Sequence, residues 1–154
     1  MKKIILAIII ILICGVIIFN RFNKQLQENN NPGVIITNDS GDKINVAVEI
    51  ADTPAKHIQG LSKHSPLSEN QGMLFIFNKK SVQKFWMKDM LFPLDIIWID
   101  DNRIVKIDAK LAPEGEKPKN IYSPDIPVNY VLEVPAGFCE KNQVKTGDKV
   151  FYNY

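Results

Sequence analysis

Phe85-Trp86-Met87-Lys88-Asp89-Met90-Leu91-Phe92-Pro93-Leu94-Asp95-Ile96-Ile97-Trp98-Ile99-Asp100-Asp101 is the stretch that decides how this chain folds. It holds both tryptophans, and it sets Lys88 and Asp95 inside the most apolar part of the region beyond residue 33. Burying a charge without a partner is costly, so both are expected at an edge, in a turn, or paired with each other. Pro93 cannot sit in a central ladder, so the chain turns around Lys88–Pro93. Asp95–Ile99 resumes as a strand, and Asp100-Asp101-Asn102 turns it into another, Arg103–Leu111. There Val105, Ile107, Ala109 and Leu111 form the face expected to meet a core.

Upstream, Val34–Thr37 and the alternating Ile44, Val46, Val48 and Ile50 flank the turn cluster Asn38–Asp42 and predict a hairpin. Thr53 and Pro54 mark a helix start, and Gly60 marks its end. Ile58 and Leu61 are expected to face inward from that helix. Met73–Phe77 is an unbroken apolar run, as in a strand buried on both faces. Val82–Met87 is a further strand candidate. Downstream, the proline-rich segment Leu111–Pro127 predicts a long loop, of the kind that is usually functional or mobile. Tyr130–Val134 and Val150–Tyr154 are strands, with a helical turn in Ala136–Asn142. The chain thus reads as mostly β with a minor α+β character. The expectation is a compact, barrel-like antiparallel or mixed sheet of about eight strands with one or two short helices.

The chain has 154 residues and a net charge of +2, enough for one domain and a tail. Before Val34, Lys2, Lys3, Arg21 and Lys24 oppose Glu28 alone; beyond it acids and bases nearly balance. A domain without a basic surplus argues against nucleic acid as a partner. Ile4–Phe19 carries no charge and follows Lys2 and Lys3. No Ala-x-Ala-like pattern lies near Asn20, and the bulky Ile13 precedes Cys14, so neither a cleaved signal nor a lipoprotein signal fits. Residues 1–22 therefore read as a single uncleaved N-terminal transmembrane helix, contacting the membrane through residues 4–19. The flanking lysines favour a cell-membrane protein with its domain on the extracytoplasmic side. Residues 23–33 read as a polar linker and residues 34–154 as the domain. Cys14 and Cys139 are not expected to pair, and Cys139 reads as a small semi-buried residue.

Gly60-Leu61, Gly72-Met73-Leu74-Phe75, Phe85-Trp86-Met87-Lys88, Pro93-Leu94-Asp95-Ile96 and Ile99-Asp100 form an ordered series. Tyr130-Val131-Leu132-Glu133, Ala136-Gly137 and Gly147-Asp148-Lys149-Val150 continue it. Together they resemble the DUF192 (UPF0127) family of uncharacterised small domains, over about Lys43 to Phe151. The resemblance implies a compact mostly-β domain and no particular activity. Relatives usually follow Trp-Met-Lys with Asn-Thr, where this chain has Asp89-Met90. They carry Met and then Arg after Gly-Leu, where this chain has Ser62 and His64.

The candidate ligand-binding residues are Trp86, Lys88, Asp89, Asp95 and His64. An aromatic face bordered by a few polar groups suits a small polar or carbohydrate ligand. The bland alternative makes the tryptophans core and Lys88–Asp95 a structural ion pair. Two other classes compete: a hydrolase-type enzyme using Lys88, Asp89 and Asp95, and an assembly protein presenting a sheet edge or the proline loop to an envelope partner. His57 and His64 lack a recognised metal spacing, so neither a metal nor a cofactor is expected.

Overall fold

The computed structural model describes residues 13–20 and 32–154. Residues 13–20 are helical, with Ile13, Val16, Ile17, Ile18 and Phe19 exposed. Among the described residues no helix is long and apolar enough to cross a membrane. The rest of the anchor expected at residues 1–22, and most of the linker expected at 23–33, lie outside the described residues.

Among the described residues seven strands close into a barrel. They are β1 (Gly33–Thr37), β2 (Lys43–Ala51), β3 (Gln71–Ser81), β4 (Leu94–Asp100), β5 (Arg103–Leu111), β6 (Val128–Pro135) and β7 (Lys149–Asn153), in the order β1-β2-β3-β6-β4-β5-β7. Two short helices, α1 (Pro54–Gln59) and α2 (Phe138–Lys141), complete the unit. The mostly-β, mixed-sheet expectation holds, with one strand fewer than the sequence suggests. Val82–Met87 makes no ladder and pairs through the isolated bridge Phe85↔Tyr122. β3 already runs to Ser81; Phe85 and Met87 pack on the face of the sheet instead of beside a strand.

The β1–β2 hairpin closes on Asn38, whose Oδ1 accepts the Asp42 N–H at 2.9 Å. β2 and β3 are the parallel pair, with Val48 opposite Gly72 and Ala51 opposite Phe75. Parallel neighbours need a crossover, and the crossover carries α1. Thr53 caps that helix by accepting the Lys56 N–H, Pro54 fills its first turn, and Gly60 ends it at φ +49°. Ile58, expected inward, is 74% exposed. So short a helix buries none of its own side chains, and packing passes to Leu61 just beyond it.

The buried residues form two cores. One gathers Val34, Ile36, Val46, Val48, Leu74, Ile97, Ile99, Ile104, Leu132, Val134 and Val150 from all seven strands, with Phe138, Cys139 and Val144. It fills the barrel. The other lies on the outward faces of β3, β6 and β4: Met73, Phe75, Leu94, Ile96, Trp98, Val128 and Val131, covered by Leu61, Met87, Met90 and Phe92. β4 is therefore buried on both sides, which explains its apolar run Ile96–Ile99.

β5 departs from simple alternation. Its register against β4 shifts between Trp98 and Ile99 and again between Leu94 and Ile96. Each extra residue reverses the side-chain phase. Ile104 consequently enters the barrel core, and Ala109, expected inward, is exposed. Asp95 pins the second irregularity. It is fully buried, and its carboxylate accepts the N–H groups of Lys110 (2.8 Å), Gly137 (3.1 Å) and Cys139 (2.9 Å). A buried carboxylate that accepts several backbone N–H groups is satisfied without a cation. The structure shows no Lys88–Asp95 ion pair.

Candidate ligand pocket

The outer core is not completely covered. Between α1 and the segment Gln83–Met90 lies a cavity of about 350 Å³. That is the small end of the range for small-molecule sites. Local chemistry sets each wall. His57 projects from α1 with Nε2 3.0 Å from the Ala51 carbonyl and 3.1 Å from the Ile76 carbonyl. Both neighbours are acceptors, so Nε2 carries the proton and donates to them. The ring is thereby fixed against Phe77, centroids 4.5 Å apart. Phe85 meets Phe75 edge-to-face at 4.8 Å and Trp98 at 5.4 Å, so the pocket wall rests on the buried Trp98. Trp98 is held in turn by its Nε1–H donating to Asp108 Oδ2 at 2.8 Å.

The segment carrying Phe85 and Trp86 is secured by backbone on both sides. Phe85 and Tyr122 exchange two N–H···O=C bonds at 2.9 Å, and the Glu114 N–H donates to the Met87 carbonyl at 2.8 Å. The proline-rich loop is thus stitched over this segment. Lys106, bonded to the Ser123 carbonyl at 2.7 Å, ties the same loop to β5. On the other flank, Ser62 Oγ donates to the Lys88 carbonyl at 3.0 Å and the Lys63 N–H to the Asp89 carbonyl at 3.1 Å.

Glu133 is part of the cavity lining. It sits on β6 between Met73 of β3 and Ile96 of β4, and only 5% of it is exposed. Its Oε2 has no hydrogen-bond partner. Burial raises its carboxyl to about 8, because desolvation disfavours the ionised form. At neutral pH the group is mostly a neutral acid on the lining of a cavity whose aromatic side chains are His57, Phe75, Phe77, Phe85 and Trp86.

Of the residues singled out from sequence, Trp86 lines the cavity, 43% exposed at its lip. Lys88 and Asp89 form the adjacent turn without lining it. His64 faces Glu49, Nε2 to Oε2 3.8 Å. Asp95 is enclosed by backbone N–H groups, as described above. The structure does not bring these five together. Glu133, His57, Phe75 and Phe77 were missed. The one available signal was an acid flanked by apolar residues in Val131-Leu132-Glu133-Val134. Among the described residues no three His, Cys, Asp or Glu side chains are grouped to hold a metal.

The fold and the cavity define a small closed-barrel domain with a lateral pocket on its outer face. The model of the DUF192 family, described as an uncharacterized ACR, matches residues 35–152. This chain belongs to that family. It is 32% identical over 111 residues to a UPF0127 protein of Thermococcus gammatolerans, spanning 69% of this chain and 66% of that protein. A UPF0127 protein of Pyrococcus furiosus is 27% identical, over 73% of this chain and 92% of its own length. Among solved structures, a protein of unknown function from Novosphingobium aromaticivorans superposes with a TM-score of 0.72 at 32% identity, covering 77% of this chain and 83% of that one. A Sinorhizobium meliloti protein described as a proposed transcription regulator gives 0.74 at 31% identity, covering 79% and 92%.

The structure accounts for two pieces of the sequence pattern. A Cβ on Gly72 would lie 2.6 Å from the Glu133 carbonyl oxygen, so that position has no room for a side chain. Asp89 adopts φ +53°. Asn and Asp tolerate that left-handed conformation better than most residues, so Asp89 in place of the usual Asn preserves the turn.

Proposed function

We propose that this domain is a non-catalytic binding module that takes a small ligand into the cavity between α1 and Gln83–Met90. The observation that carries the reading is Glu133, a buried carboxyl whose Oε2 has no partner, on the lining of a cavity it shares with Phe75, Phe77, Phe85 and Trp86. Native interiors satisfy nearly all their buried polar groups, so each exception calls for an explanation; of the four such side-chain oxygens among the described residues, Glu133 Oε2 is the one on a residue that lines this cavity. Rigid apolar walls with one polar anchor are the usual build of a small-molecule site. The hydrolase alternative finds little support. Asp95 is fully buried with three backbone donors on its carboxylate, which leaves it poorly placed for acid–base work. The role proposed for the Sinorhizobium meliloti protein is not carried over, because acids and bases nearly balance in this domain.

The same reading places the chain in the cell membrane through residues 4–19, with the domain outside. Its support is the uncharged run Ile4–Phe19 behind Lys2 and Lys3. Alkaline extraction and protease protection of cells producing the full chain test that part. For the pocket, Trp86 at the lip and Trp98 beneath the wall supply the signal. The full chain in dodecyl maltoside is titrated with small ligands, and tryptophan emission is followed. A saturable change that is abolished in a folded Glu133→Gln variant is expected. A change that persists unaltered in that variant would place binding elsewhere.

A further inference from the structure

The cavity's chemistry selects among ligands. Every residue flanking Glu133 across the sheet is apolar: Met73 on one strand and Ile96 on the other. Among the described residues no lysine, arginine or histidine forms an ion pair with Glu133, although such pairs occur elsewhere on the domain. Lys84, which also borders the cavity, is exposed at its mouth. His57 already donates its Nε2 proton to two carbonyls and has no N–H on that nitrogen left for a ligand. Ser62 Oγ is likewise engaged with the Lys88 carbonyl. Gln83 is bonded to Ser81 Oγ, and Gln59, Lys84 and Trp86 Nε1 are the remaining side-chain donors on the lining. The cavity therefore offers one acid beside aromatic rings, and its one cationic lysine is exposed.

We propose that the pocket holds an organic ammonium ion, with its positive charge between the Glu133 carboxylate and the faces of Phe75, Phe85 and Trp86. This rests on the pocket reading above. A cation over an aromatic face is attracted by the ring quadrupole, most strongly where water is excluded. It also supplies the opposite charge that a buried carboxylate otherwise lacks. A neutral ligand would meet Glu133 in its protonated form, and a cation would ionise it. Binding of an ammonium ion at pH 7 therefore releases close to one proton from Glu133, and binding well above pH 8 releases none. His57 and Lys84 also border the site. Lys84 is exposed; the contributions of these two residues are checked with His57→Asn and Lys84→Met.

The test is titration calorimetry on the full chain in dodecyl maltoside. The probes are choline, tetramethylammonium, butylammonium and 3,3-dimethylbutan-1-ol, which replaces the choline nitrogen with carbon. At least one ammonium ion is expected to bind, with the alcohol at least tenfold weaker than choline if choline is the binder. The binding heat at pH 7 should vary with the ionisation enthalpy of the buffer, and the variation should vanish near pH 9.5. Glu133→Gln should abolish the preference for the cation. Trp86→Ala, at an exposed position, should weaken binding several-fold without unfolding. Glycerophosphocholine binding tighter than free choline would point to a lipid headgroup as the source. If the alcohol binds as tightly as choline, or no proton is released, the ammonium assignment falls and the pocket stands. If none of the ammonium ions and no neutral probe binds, both fall.

Discussion

Replacing Glu133 with Gln should remove a large pH dependence from the stability of this protein. The carboxyl titrates near 8 in the folded chain, against an ordinary value of 4.5. Between those values the folded state keeps a proton that the unfolded state has lost. Stability must then fall as pH rises from about 4.5 to about 8, and level off above. The full span corresponds to roughly 5 kcal/mol, and the part between pH 5 and pH 9 to roughly 4 kcal/mol. Burial is nearly complete, so solvent screening removes little of this. The assay is urea unfolding of the full chain in detergent at intervals across pH 5–9, for wild type and Glu133→Gln. The absolute stabilities will differ, because the amide has its own unmet hydrogen bonds; the difference in pH dependence is the readout. Wild type should lose several kcal/mol relative to the variant as pH rises. Parallel curves would mean that Glu133 is ionised or paired in solution, and the account of this residue would be refuted. A saturating cationic ligand should flatten the wild-type curve.

Three further outcomes follow from the packing. Gly72→Ala should cost at least about 1–3 kcal/mol, because its Cβ would meet the Glu133 backbone oxygen rather than a movable side chain; an unchanged melting temperature would mean that β3 and β6 can separate freely. Asp95→Asn should destabilise by about 2–4 kcal/mol, since the amide replaces one acceptor oxygen with a second donor facing backbone N–H groups; chemical denaturation reads this out. Cys139 is buried, and burial together with the nearby Asp95 pushes its thiol well above the ordinary value. A thiol reagent at pH 8 should therefore modify Cys139 only on unfolding, as read by mass spectrometry; rapid modification in the native state would contradict the packing of α2.

Much of the fold was legible because most of its strands announce themselves by period or by turn chemistry. The Asn38–Asp42 turn, the Thr53-Pro54 helix start and the double-sided burial of Met73–Phe75 in β3 were all readable in this way. Val82–Met87 misled because an apolar run that covers a sheet looks like one that joins it. β5 misled because two register shifts reverse its faces, and no local residue type marks them. Asp95 was recognisable as unusual, but its partners come from residues 110, 137 and 139, brought together only by the barrel. Glu133 was harder still. Its significance depends on Met73 and Ile96 of neighbouring strands and on a missing partner, and neither is a property of the sequence around it.

β1 lies between β2 and β7, with Gly33 opposite both Ala47 and Asn153. Among the described residues the first strand is thus joined to the last. While the chain is being synthesised, β1 can pair on one side only, and its other edge stays open until Lys149–Asn153 has left the ribosome. Closing so long a loop is slow compared with forming a local hairpin. The barrel therefore closes only once its last strand is available. Until then its nascent form carries an unpaired strand edge, which makes it a natural client for chaperones that shield such edges.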